Sequence, residues 1–196
     1  MVDKTRTQIE TASGHTFDYD NMNVNMIRTQ DVALALGKLC RYNGHSRVFY
    51  SVAEHSFLMA AYAMDLTDDS ELALQCLLHD AGEAYVSDVP SPLKAKLGQV
   101  YKDLEAEVDE LIAFKYGLPT PLFDIVHELD KRICLDEKAV LYPTSRYRWI
   151  AEQQGLEPLG IKLALLNPSE AALAFLHMYN LLTGENVTFK SENFDL

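Results

Sequence analysis

Apolar side chains recur every three or four positions along most of this chain, and no segment alternates over a convincing strand length. That period belongs to helices with one buried face. In DVALALGKLCRY, residues Val32, Ala35, Leu36, Leu39 and Cys40 make one stripe, with Asp31 placed to cap it. A second helix is predicted from about Val52 to Met64, with Val52, His55, Leu58, Met59 and Tyr62 inward, and a third from about Ser70 to His79. VSDVPSP breaks the pattern, because a residue before proline is pushed out of the α region; Ser91 and Pro92 then suit the start of a short helix. The stretch from Val100 to Phe114 buries Tyr101, Leu104, Val108, Leu111 and Ile112 and turns its acids outward. From Pro121 to Tyr142 the buried face is Val126, Leu129, Ile133, Val140 and Leu141. Residues 145–153 carry a weaker helical pattern, and Asn167-Pro168-Ser169-Glu170 opens a last helix that stops near Thr183-Gly184. Residues 13–27 are polar and read as a loop with at most a short extended stretch. The predicted class is all-α: one domain over residues 1–196, with roughly seven to nine helices.

Composition narrows the function classes. The chain has 196 residues, 48% of them hydrophobic, which suits one domain with a real core. No apolar run approaches the roughly 20 residues of a membrane span, and MVDKTRTQIE lacks an apolar core, so a cytoplasmic protein without a secretory leader is expected. With 17 basic against 29 acidic residues the formal charge is −12. That argues against a nucleic-acid polymer as partner, since duplex binding needs a basic face. It leaves room for a small phosphorylated ligand met by a local cation. Cys40, Cys76 and Cys134 are odd in number and lack a CxxC spacing, so they read as small buried side chains, not disulfides.

Three polar interruptions of apolar faces carry the chemistry. In LLHDAGE, His79 and Asp80 sit at the end of an apolar helix, where each is costly to bury alone. A carboxylate there also opposes the helix dipole. Adjacent helical residues point about 100° apart, so the pair can share one cation only where the helix ends, and Gly82 supplies that end. His55 lies inward between Val52 and Met59, and Asp130 lies between Leu129 and Ile133 on an apolar side. A bound cation would remove all three penalties together, since imidazole and carboxylate are both good ligands for it. Asp136 is the alternative to Asp130 on the same helix.

The ordered set VAEHS, LLHDAGE, SDVPSPLK and a later helical Asp resembles the HD-domain metal-dependent phosphohydrolases. The block IRTQDVALALGKLCRYNGHSRVFYSVAEHS is similar to the branch holding bacterial 5′-deoxynucleotidases and small phage dATP triphosphohydrolases. The likeness covers about residues 13–142. It implies an HD-type bundle whose metal-site core is about 30–142, followed by C-terminal helices at 145–184. It also implies one divalent cation (Co, Mn, Zn or Fe) on His55, His79, Asp80 and Asp130, with Asp136 or Glu137 as the acid that follows. Glu83, one turn past Asp80, takes the family's proton-handling role, and Lys94 that of the lysine reaching phosphate. Asp88 stands where relatives carry a residue near the sugar. Arg41, His45 and Arg47 cluster ahead of the His55 helix as further phosphate partners. The implied activity is hydrolysis of a deoxynucleotide. A triphosphate, dATP foremost, is favoured by the number of cations; a 5′-monophosphate is the alternative. A non-catalytic nucleotide sensor or interaction module, and a di-iron oxygenase on the same frame, are the readings of other classes. Relatives often dimerise, which leaves a homo-oligomer open.

Overall fold

A computed structural model describes residues 7–189. Among these the chain forms nine α-helices and a two-stranded hairpin. The hairpin pairs β1 (Gln8–Glu10) with β2 (Thr16–Asp18), antiparallel, with Ile9 opposite Phe17. Its second strand is the short extended stretch within 13–27; its first, before that segment, has no alternation to announce it. Phe17 is fully buried and stacks on Tyr85 at 4.2 Å between ring centroids.

Helix α1 (Thr29–Lys38) starts two residues before the predicted cap. Asp31 lies inside its first turn and accepts from the Ser13 amide at 2.8 Å and the Ser13 hydroxyl at 2.6 Å. The carboxylate thus ties the hairpin to α1 instead of capping the helix. Helix α2 (Val52–Thr67) opens on the Ser51 hydroxyl, which accepts from the Glu54 amide. Helix α3 (Ser70–Leu78) opens on Asp69, which accepts from the Glu71 and Leu72 amides. A turn over 79–82 leads into the short α4 (Glu83–Val86), followed by α5 (Ser91–Leu97) and α6 (Gln99–Tyr116). Helix α7 (Asp124–Leu141) is followed by a single turn, α8 (Ile150–Gln153). The predicted cap of the last helix is present: in α9 (Pro168–Thr183) Asn167 and Glu170 form a reciprocal capping box, and Gly184 closes the helix in the left-handed region at φ 72°.

The main core gathers residues of the hairpin and of α1, α2, α3, α6, α7 and α9, with Leu36, Met59, Leu77, Leu129, Ile133 and Phe175 among its buried side chains. Helix α9 packs against α1, α2 and α3, and α7 packs against α2 and α3. Helix α2 is therefore covered from several sides, and polar groups on it must find partners inside the protein. No described helix is long and apolar enough to cross a membrane.

Candidate metal centre

His55 is fully buried on α2, and its Nδ1 lies 2.6 Å from Glu137 Oε1 on α7. Glu137 is an acceptor, so Nδ1 carries the hydrogen and the Nε2 lone pair faces the other way. His79 caps the C-terminal end of α3 and turns its Nδ1 back to the Cys76 carbonyl at 2.8 Å. That contact satisfies a carbonyl of the last turn and fixes the same tautomer. The two Nε2 atoms then point at each other across 3.3 Å.

Two carboxylates complete the set. Asp80 Oδ2 lies 3.1 Å from His79 Nε2 and 3.8 Å from His55 Nε2. Asp130 Oδ1 lies 3.3 Å from His55 Nε2 and 3.9 Å from His79 Nε2. His55, His79 and Asp130 each present one ligand atom within 4.8 Å of the other two. Atoms held about 2.1 Å from a common cation stand roughly 3.0–3.5 Å apart as neighbours and about 4.2 Å when opposed. The observed separations fall in that range. The lone-pair donors of His55, His79 and Asp130, with Asp80 Oδ2 beside both imidazoles, repel one another unless a proton or a cation sits among them, so the donor set fits a divalent ion. Without one, burial and Arg41 push His55 down, but Glu137 and Asp130 outweigh them and hold it at about 9. Asp80 is held well below the ordinary carboxylate range; burial opposes this, and His79, His55 and Arg41 outweigh burial. The end of α3 at Leu78 is what lets His79 and Asp80 converge.

The remaining predicted residues separate into two places. Arg41 is buried: its Nη1 donates to Asp80 Oδ2 at 3.3 Å, its Nε lies 3.4 Å from Glu137 Oε2, and its Nη2 donates to Cys134 Sγ at 3.7 Å. It buttresses the carboxylates of the centre instead of standing free for phosphate. Glu83 and Lys94 line a cleft of about 250 Å³ together with His79, Asp80, Val86, Glu105 and Asp109. Glu83 Oε2 is buried without a hydrogen-bond partner among the described residues. Burial, then the neighbouring Asp80 and Asp88, push the Glu83 carboxyl well above its ordinary range. Lys94 pairs with Glu105. Asp88 follows Ser87, whose φ is 69°; burial raises its carboxyl, and Arg41, Asp80 and His55 act on it electrostatically. His45 and Arg47 lie elsewhere, in a groove of about 530 Å³ walled by Leu141, Tyr142, Pro143 and Tyr147. Sequence position groups them with Arg41, but the turn at 41–44 carries the chain away: Tyr42 and Asn43 adopt positive φ there, at 59° and 53°.

Two acids escaped the sequence reading, and a third was left as one of two alternatives. Glu137 was named only as one of two followers of Asp130; its spacing of seven, two helical turns, places it on the same face. Glu105 and Asp109 on α6 were expected outward, yet both line the cleft. Asp109 is raised to about 6 by burial and the charges of Glu105 and Asp80.

A family model described as HD domain matches residues 42–136, a stretch that contains His55, the His79-Asp80 pair and Asp130 in order. The match places residues 42–136 in the HD-domain superfamily. HD domains bind divalent metals and are generally hydrolases, which agrees with the convergence above. The chain is similar to the uncharacterized protein YfdR of Escherichia coli (strain K12), 43% identical over 111 residues, covering 57% of this chain and 59% of that one. It is also similar to the uncharacterized protein RCAP_rcc00048 of Rhodobacter capsulatus, 32% identical over 114 residues, covering 56% and 58%. The matched stretch thus spans about three fifths of the length of these relatives.

Proposed function

We propose that this HD-domain protein hydrolyses the phosphate ester at the 5′-oxygen of a deoxynucleotide, with His55, His79, Asp80 and Asp130 holding one divalent cation. The observation that carries the reading is the convergence of His55, His79 and Asp130, with Asp80 beside both imidazoles and the two imidazoles locked by Nδ1 contacts, next to a cleft where Glu83 Oε2 is buried without a partner among the described residues. When bound, a divalent cation supplies Lewis acidity toward a phosphate oxygen and the attacking water. Glu83, kept protonated by burial and by its anionic neighbours, is suited to give its proton to the departing 5′-oxygen. Lys94 is a movable charge that can exchange Glu105 for a phosphate oxygen. Asp88 offers an acceptor for a 3′-hydroxyl.

The length of the phosphate chain follows from the cations. The triphosphate reading needs Arg41, Arg47 and Lys94 to act together. Arg41 already contacts Asp80 and Glu137, Arg47 lines the other groove, and the cleft sets Lys94 among Asp80, Glu83, Glu105 and Asp109. One phosphate asks for no more positive charge than Lys94 and a cation supply, so a deoxynucleoside 5′-monophosphate is the substrate the geometry supports best. The test is a screen of all deoxynucleoside mono- and triphosphates with Mn, Co, Zn and Fe(II), measuring free phosphate and intact triphosphate. Phosphate from a monophosphate is the expected product. Intact triphosphate from dATP would restore the longer substrate, and no turnover with any cation would favour a nucleotide sensor.

A further inference from the structure

The segment between α8 and α9 runs without regular structure from Gly155 to Asn167, beyond the stretch matched by the HD-domain family model. Two carboxylates hold it. Asp136 accepts from the Leu159 amide at 2.8 Å, the Gly160 amide at 3.0 Å and the Ile161 amide at 3.1 Å. Glu54, fully buried, accepts from the Ala164, Leu165 and Leu166 amides at 2.9, 2.8 and 2.7 Å. Between them Leu163 is buried in a small cluster with Tyr50 and Leu141. Residues 159–166 thus form a strap fixed at three points, one on α7, one on α2 and one between.

The carboxylates that hold the strap are the chain neighbours of the pair that meets at the metal centre. Glu54 precedes His55 on α2, and Asp136 precedes Glu137 on α7. His55 and Glu137 touch at 2.6 Å, so the α2–α7 spacing that closes this contact is also the spacing the strap bridges. A backbone–carboxylate contact is short and charge-assisted and tolerates little stretching. We propose that the 159–166 strap is part of the metal centre, with Glu54 and Asp136 as positioning residues that set the α2–α7 register on which the cation affinity of His55 depends. The inference rests on the reading of His55, His79, Asp80 and Asp130 as cation ligands.

The test uses the full chain and Co²⁺ alone, measuring affinity by calorimetry and coordination by the visible absorption of the bound ion. Glu54→Gln keeps one oxygen for the Ala164 and Leu165 amides but sets an amide NH₂ against the Leu166 amide. Asp136→Asn makes the same change at the other anchor. Each is expected to weaken Co²⁺ binding about tenfold and alter its spectrum, as loss of a partner behind a metal ligand does. Wild-type affinity and spectrum in both carboxylate variants would overturn the proposal, whatever happens to Tm, because the strap would then be packing only. Should one variant fail to fold, the other decides. Absence of Co²⁺ binding by the wild type would overturn both this inference and the metal-centre reading, whereas wild-type binding unaffected by the variants would overturn this inference alone.

Discussion

At the scale of single residues, the centre depends on groups that orient ligands as much as on the ligands. Glu137 holds the Nδ1 hydrogen of His55, takes the Tyr42 hydroxyl, and lies 3.4 Å from Arg41. Glu137→Gln keeps an oxygen for one of these donors but removes the charge that balances Arg41. Loss of such a partner lowers metal affinity or activity by about 10–100-fold, and a titration with Mn²⁺ or Co²⁺ should read a shift of that size. Glu83 makes the opposite separation. Its role in proton transfer predicts that Glu83→Gln leaves cation affinity unchanged and lowers kcat by about 10²–10⁴-fold. Unchanged kcat in that variant would remove Glu83 from the chemistry. Together the two variants separate holding a ligand from moving a proton.

At the scale of elements, the helices that carry the centre were legible because each has a clear apolar stripe. The candidate ligands were legible because each breaks such a stripe at a cost only a partner can offset. Arg41, read from sequence as a phosphate partner, contacts Asp80 and Glu137 in the fold, since residue type reveals charge and not burial. The strap was invisible, because its contacts are backbone amides meeting carboxylates more than 20 residues away, with no periodicity to mark them. Of the hairpin only β2 was legible, as the short extended stretch within 13–27; with three residues per strand the pair is too short to show alternation. Both ends of α9 could be read, and the value of its start is testable. Asn167→Ala removes the acceptor for the Ser169 and Glu170 amides and should cost about 1 kcal/mol. Gly37 marks where α9 crosses α1. A Cβ there would stand 2.6 Å from the Pro168 carbonyl oxygen and 2.9 Å from Ala172 Cβ. Backbone cannot yield as a side-chain tip can, so Gly37→Ala should destabilise by about 1–3 kcal/mol. Thermal unfolding would register both, Gly37→Ala more strongly.

At the scale of the whole molecule, the four proposed ligands come from α2, the end of α3 and α7, so the centre exists only when these elements are assembled. The unfolded chain separates His55 from Asp130 by 75 positions and offers a cation no comparable site. A ligand that binds only the folded form stabilises it by mass action, by about 2.7 kcal/mol at a hundredfold excess over Kd. For a chain of this size each kcal/mol moves Tm by about 2–4 °C, so saturating Co²⁺ or Mn²⁺ should raise Tm by roughly 5–10 °C and a chelator should reverse it. Asp130→Asn leaves the helix and its packing in place while removing an anionic donor, so it should keep most of the metal-free Tm and lose most of the rise. A rise preserved in that variant would put the cation somewhere other than among these four side chains. In the metal-free protein burial works against the Asp130 carboxylate, but His55 and His79 outweigh it and hold the group below its ordinary range. Asp130→Asn gives up that attraction, so the metal-free Tm should fall modestly while the metal-loaded Tm falls further, and the two curves must draw together.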